Sequence, residues 1–152
     1  FFKTLINKHG EIDMDAIICD LDGTLALNDH GRDFFYATDC DKDAINAPVR
    51  AVVQWAYDNN YQIIFLSGRE DKYIDPTVKF LDKCGFNESM YKLIMRRTGD
   101  NRKDSIIKEE LYNTHIKPID VDILFILDDR KQVVDMWRDK GFTVFQVAEG
   151  DF

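Results

Sequence analysis

Cysteine is scarce in this sequence: Cys19, Cys40 and Cys84 are an odd number, widely spaced, with no CxxC pair. That excludes a disulfide-framed scaffold and gives no zinc ligand set. Histidine is equally sparse, and His9, His30 and His115 lack the spacing of metal ligands. No apolar run approaches the roughly 20 residues that cross a bilayer, so no membrane association is expected. Phe1–Gly10 lacks the apolar centre of a secretory leader. A reduced, cytoplasmic setting is the expectation. Positive charge is not in excess either. The balance of 20 basic against 28 acidic residues, net −8, argues against a protein that coats nucleic acid, but not against a partner touching one basic patch. Internal repeats, low-complexity stretches and a Pro/Gly/Ser linker are also missing, so residues 1–152 are expected to form a single domain. A chain opening Phe1-Phe2 instead of Met is expected to be a piece of something longer.

What is present is the make-up of a globular protein, 45% apolar and 32% charged. Short apolar runs alternate with amphipathic segments. Ala16–Cys19 predicts a strand that ends abruptly in acids and glycine. Pro48–Asn59 predicts a helix with Val49, Val52, Val53 and Ala56 on one face. Tyr61–Leu66 predicts a strand stopping at Ser67-Gly68-Arg69. A helix is expected from Asp75, with Pro76 at its first position, to a stop before Gly85. A strand around Leu93–Met95 and a helix from about Lys103 to His115 follow. Ile123–Leu127, Lys131–Lys140 and Thr143–Val147 then predict strand, helix and strand. Nearly all-apolar strands alternating with helices predict a three-layer α/β fold with a mostly parallel sheet covered on both faces. Ligands in such folds bind at the carboxyl ends of the strands, near a topological switch point.

Polar clusters sit at those strand ends. In Asp20-Leu21-Asp22-Gly23-Thr24, carboxylates at i and i+2 share one side of an extended backbone and can address one reaction centre; the bland alternative is an acidic turn. Ser67-Gly68-Arg69 offers a hydroxyl, backbone N–H groups and a guanidinium, which suit a phosphate as well as they suit a plain turn. Asp128-Asp129 is either a helix cap or part of a site for a hard cation such as Mg²⁺. Arg96-Arg97 begins a basic stretch that leads into a helix where Asp104 and Lys108, at i and i+4, can pair on one face. That pairing is equally compatible with a solvated helix start.

Taken in order, Asp20-x-Asp22-Gly23-Thr24, Ser67, Lys103 or Lys108, and Asp128-Asp129 resemble the four motifs of the haloacid dehalogenase (HAD) superfamily of phosphotransferases. The stretches IICDLDGTLAL, LSGRE, RKDSIIKEEL, LDDRKQVV and the terminal GDF are similar to the 3′-phosphatase domain of phage-type polynucleotide 5′-kinase/3′-phosphatase. The resemblance implies a HAD-type, Rossmann-like three-layer sandwich acting as a Mg²⁺-dependent phosphatase on the 3′-phosphorylated ends of DNA or RNA. Asp20 would be the nucleophile that carries an aspartyl-phosphate, and Asp22 the acid and then the base. Mg²⁺ would lie between Asp20, the Asp22 main-chain carbonyl and Asp128, with Asp129 acting through water. Ser67 and a lysine would hold the transferring oxygens, with Lys108 favoured over Lys103 because Asp104 can orient it. Arg32 and Arg69 match arginines that this family uses at its active site, Gly68 lies between the second motif's donors, and Arg96 is a weaker candidate. The resemblance further implies a role in RNA or DNA end repair, association through this domain, and a fused kinase in the parent protein, with the host cytoplasm as the location of a phage-encoded copy. No GxxxxGK[ST] motif occurs, so the kinase half itself is not expected in this stretch.

The segments Asp22–Ser67 and Ser67–Lys108 are too short to hold a large cap, which leaves an open site able to admit a polymer end. Leu27–Arg32 is expected to act as a mobile flap, with Phe34-Phe35-Tyr36 buried beneath it more readily than stacked on a base. Trp55, Trp137 and Cys19 are expected in the core. The rival functions are a HAD phosphatase of free nucleotides and a receiver-like module that stores phosphate on an aspartate without releasing it.

Overall fold

Alternating residues along the central strands face opposite layers of apolar side chains, and this decides the architecture. The computed structural model describes residues 5–6, 12–13 and 15–152; the rest of Phe1–Gly10, His9 included, lies outside the described residues. In chain order the elements are β1 (Leu5–Ile6), β2 (Ile12–Asp13), β3 (Asp15–Cys19), β4 (Ala26–Leu27), β5 (Ala44–Ile45), α1 (Ala47–Asp58), β6 (Gln62–Glu70), α2 (Ile74–Lys83), β7 (Tyr91–Arg96), α3 (Asp104–Leu111), β8 (Asp122–Asp128), α4 (Lys131–Asp139) and β9 (Val144–Gln146). Five strands form a sheet in the order β7-β6-β3-β8-β9, and every neighbouring pair is parallel. Two small antiparallel pairs, β1 with β2 and β4 with β5, lie outside it.

Ile17, Cys19, Ile63 and Phe65 pack with Val49 and Val53 of α1 and Phe80 and Leu81 of α2. Ala16, Ile18, Ile64 and Leu66 face the other way, onto Val133, Val134 and Trp137 of α4. The side-chain period of two delivers each strand's residues to both layers, so these strands read as unbroken apolar runs. Strand order reverses between β3 and β8, the switch point at which α/β sheets open a crevice. The Asp20 N–H donates to the Leu127 carbonyl across it (2.9 Å). No cap domain is inserted among the described residues. No described helix is long and apolar enough to cross a membrane.

Some expectations need correcting. β6 runs on to Glu70, through the predicted stop, with a register shift against β7 between Ser67 and Glu70. The helix expected to reach His115 ends at Leu111 and widens into a π turn over Tyr112–Ile116. Trp137 and Cys19 are fully buried as expected, but Trp55 is half exposed. It stacks on Tyr61 at 5.7 Å, at the edge of an apolar depression shared with Leu124 and Phe145. The helical period of α1 turns Val49 and Val53 inward and leaves position 55 on the outer flank.

Candidate active site

The end of β3 and the end of β8 are adjacent strands' termini, so Asp20 and Asp128-Asp129 converge by topology. One carboxylate oxygen from each of Asp20, Asp128 and Asp129 lies within 4.8 Å of the others, and all three residues are buried. Neither Asp128 nor Asp129 caps α4, whose N-cap is Arg130 with no side-chain cap bond. Gly23, at φ +81°, makes room for this cluster, because a Cβ there would overlap the Asp129 carboxylate. The Thr24 hydroxyl reaches Asp20 Oδ2 (2.9 Å) and Asp129 Oδ1 (3.2 Å).

Of the two candidate lysines, the fold brings in Lys108. Its ammonium donates to Asp20 Oδ1 (2.8 Å) and Asp128 Oδ2 (2.9 Å) and lies 3.7 Å from Asp104 Oδ2. Lys108 is 1% exposed, whereas Lys103, one residue before α3, stays exposed on the rim. Asp104 is no solvated helix start: it is buried against Lys108, Arg96 (3.1 Å) and Arg130 (3.5 Å). Gly68 admits it, since any side chain at that position would strike the Asp104 carboxylate.

Burial pushes the Asp20 carboxyl well above its ordinary range; Asp128 adds to the rise and Lys108 only partly offsets it. Asp129 is raised by burial and then by Asp128. Lys108 is disfavoured as a cation by burial, yet Asp128, Asp20 and Asp104 together hold it well above its usual value. Two like charges at this spacing repel by about 3–4 kcal/mol at an effective dielectric of about 20, so one ammonium cannot balance three carboxylates. The donor set is hard oxygen throughout, and a divalent cation among Asp20, Asp128 and Asp129 fits both the charge deficit and the donor chemistry.

A second layer flanks the first. Asp22 is not a member of the three-carboxylate cluster by its side chain. Its carboxylate takes a two-point contact from Arg69, Nε to Oδ2 at 2.9 Å and Nη2 to Oδ1 at 2.8 Å, and a third bond from Arg32 Nη2 at 2.8 Å. Both arginines are in turn bound by Asp43, a residue that no motif in the sequence marks. Arg32 reaches Asp43 through Nε (2.9 Å) and Nη2 (2.7 Å), Arg69 through Nη2 (3.3 Å), and His30 Nε2 lies 2.8 Å away. Burial opposes the charge on Asp43, but the bonds from Arg32 and His30 outweigh it and lower its carboxyl below the ordinary value. The only sequence signal was an acid just before the predicted first helix, with nothing to mark it as inward-facing. The Leu27–Arg32 loop, expected as a mobile flap, meets Asp43 through His30 and Arg32 in this conformation.

The remaining candidates divide between positioning and lining. The buried Ser67 hydroxyl accepts the Arg69 N–H (3.1 Å) and so shapes the turn after the strand's apolar run. Arg96 lines the cavity, but its guanidinium is bound to the carbonyls of Gly68 (2.7 Å), Asp100 (2.8 Å) and Arg102 (2.7 Å) and to Asp104. It therefore braces the 97–103 loop where the sequence had suggested a phosphate contact. Asp20, Asp22, Gly68 and Arg69 open onto a cavity of about 600 Å³. Phe34, Phe35 and Tyr36, expected to be covered, are exposed along its edge.

The same fold occurs in the class C acid phosphatase from Bacillus anthracis in its tungstate-bound form, at a TM-score of 0.59 and 16% identity, over 92% of this chain and 70% of that one. That likeness is one of fold; in this chain acids from two neighbouring strand ends gather around a buried lysine. The family model of the polynucleotide kinase PNKP phosphatase domain matches residues 14–152, and the chain belongs to that family. It is 47% identical, at a TM-score of 0.85, to a chain in the solved structure of a Pnkp1/Rnl/Hen1 complex, covering 92% of this chain and 48% of that one. A second structure, titled the Pnkp1/Rnl/Hen1 RNA repair complex, matches with the same identity and TM-score over 91% of this chain and 44% of that one. A protein of Autographa californica nuclear polyhedrosis virus, named as a bifunctional polynucleotide kinase/RNA ligase, is 35% identical over 135 residues, 88% of this chain and 19% of that protein. The chain thus spans about a fifth to a half of these relatives.

Proposed function

We propose that this domain removes the terminal 3′-phosphate from DNA or RNA ends during nucleic-acid end repair, RNA repair before ligation included. The observation that carries the reading is Lys108 bridging Asp20 and Asp128 across the sheet's switch point, with the Asp22 carboxylate held apart on Arg69 and Arg32. Two acids from one D-x-D motif thereby receive different surroundings and different tasks.

Asp20 attacks phosphorus and forms an aspartyl-phosphate as the bond to the 3′-oxygen breaks. Asp22, once it has left the arginines and taken up a proton from solvent, protonates the departing oxygen and then regains a proton from the water that hydrolyses the intermediate. Lys108 and Ser67 compensate charge on the transferring oxygens, and Arg32 and Arg69 hold the phosphate as Asp22 leaves them. Asp104 keeps Lys108 aimed at Asp20. Asp20, Asp128, Asp129 and the Asp22 main-chain carbonyl would hold Mg²⁺, which when bound neutralises the carboxylates and polarises a phosphoryl oxygen. Residues 1–152 act as one domain on this reading, in a reduced cytoplasm that suits three free, buried cysteines. A kinase unit fused in the parent protein and self-association through this domain belong to the same proposal.

The test offers matched DNA and RNA oligomers with 3′- or 5′-phosphate, and nucleoside 3′- and 5′-monophosphates, each with Mg²⁺. Catalytic phosphate release from the 3′-phosphorylated oligomers, with only a modest dependence on length, is expected. Preference for free 5′-nucleotides overturns the substrate assignment, and stoichiometric labelling without turnover indicates a phosphate-storing module.

A further inference from the structure

Phe34, Phe35 and Tyr36 are 48%, 78% and 62% exposed, and Phe152 is 56% exposed. Large rings exposed together, unlike apolar residues scattered singly, mark an interaction site. All four line the cavity that contains Asp20 and Asp22. Phe34 meets Phe35 edge-on at 5.4 Å and Phe152 at 6.5 Å, and the Arg130 guanidinium lies 4.5 Å above the Phe152 ring. The tripeptide is not a loose strand of chain. Asp33 accepts the Phe35 N–H on its side chain (2.9 Å) and the Tyr36 N–H on its carbonyl (3.1 Å). The preceding residue, Arg32, is fastened to Asp22 and Asp43. The backbone that carries the rings is therefore tied down beside Arg32.

We infer that Phe34 and Phe35, with Phe152 behind them, form a stacking platform for the base of the terminal 3′-phosphorylated nucleotide. This rests on the 3′-phosphatase reading and adds how the end is gripped. The cavity, about 600 Å³, is far larger than a phosphoryl group requires, and the rings line part of it. Lys72 and Lys103 line the same space, which pairs aromatic faces with cations as in sites for single-stranded nucleic acid. Every base presents a π face, so such a platform accepts any terminal base. It also gives an acidic protein a way to hold a polyanion's end without a long basic groove.

Two substrates separate the parts: an oligonucleotide with an ordinary 3′-terminal nucleotide 3′-phosphate, and the same oligonucleotide ending in an abasic 3′-phosphate. The unmodified protein is expected to favour the base-bearing end by about tenfold in kcat/KM, carried by KM, and Phe35→Ala to erase that preference while Phe35→Trp keeps it. A terminal 2-aminopurine should be quenched on binding to Asp20→Asn and remain bright with Asp20→Asn/Phe35→Ala. Equal use of both ends by the unmodified protein, or a preference that survives Phe35→Ala, overturns the platform. So does a dimer in sedimentation that Phe35→Ala dissociates, since a second copy would then cover the rings. Failure of the 3′-phosphatase reading looks different: the unmodified protein would release no phosphate from either end.

Discussion

Two acidic layers lie side by side and are balanced in opposite ways. Around Asp20, three buried carboxylates share one ammonium, Lys108. Around Asp22, two carboxylates, Asp22 and Asp43, share two guanidiniums. Burial is common to Asp20 and Asp43, yet it raises the Asp20 carboxyl while its partners lower that of Asp43. Burial pushes both acids up, and only at Asp43 do enough cationic partners converge to outweigh it. The first layer is short of positive charge and suited to a cation; the second is self-neutralised and suited to hold a group in place.

The contrast breaks most sharply at Asp20. Asp20→Asn should lower phosphate release from a 3′-phosphorylated dinucleotide by at least about a thousandfold, because the proposed mechanism places the phosphoryl intermediate on its carboxylate. Its circular-dichroism melt should stay cooperative. Full activity would remove Asp20 from the chemistry.

Asp22→Asn should cost about a hundredfold or more on the same substrate and far less on p-nitrophenyl phosphate, whose leaving group needs no proton. Asp43→Asn should follow that leaving-group pattern with a smaller loss, since it acts by holding Arg32 and Arg69. Equal losses on both substrates would reduce Asp43 to a structural part.

Asp129→Ala should sharpen the comparison from the other side. It relieves repulsion in the metal-free protein, so its Tm without Mg²⁺ should match or exceed that of the unmodified protein, while the rise on adding Mg²⁺ shrinks by several degrees. An unchanged Mg²⁺ titration would take Asp129 out of the cation site.

The smallest effect concerns pH. The folded Asp43 carboxyl lies below its ordinary value of 3.8, so it stabilises the fold at higher pH and loses that contribution as pH falls through its lowered value. The Tm gap between the unmodified protein and Asp43→Asn should be widest near neutral pH and close below pH 3.8. A gap that widens in acid would contradict the arginine clamp.

Much of this was legible from local pattern. Unbroken apolar runs marked the central strands because both faces of the sheet are covered, and the acids at their ends marked the crevice. Asp104 at i and Lys108 at i+4 favoured Lys108 over Lys103, since one helical turn puts both on the same face, but only the fold turned that face inward. Asp43 was not legible. It lies in the connection between β4 and β5, directly before β5, and only the fold turns it inward onto Arg32 and Arg69. Phe34–Tyr36 misled for the opposite reason, because hydrophobic residues usually mean burial, and here a cavity edge holds them open. Arg96 carried the right charge for phosphate, but the 97–103 loop needed its donors for unpaired carbonyls.

By itself the sequence determined which chemical groups stand at the strand ends and on which side of each strand they lie, because side-chain alternation is a local property of the backbone. Tertiary structure alone decided which charges share one desolvated space. The depth of burial and the number of opposite charges in reach depend on segments remote along the chain, brought together by the order of strands in the sheet.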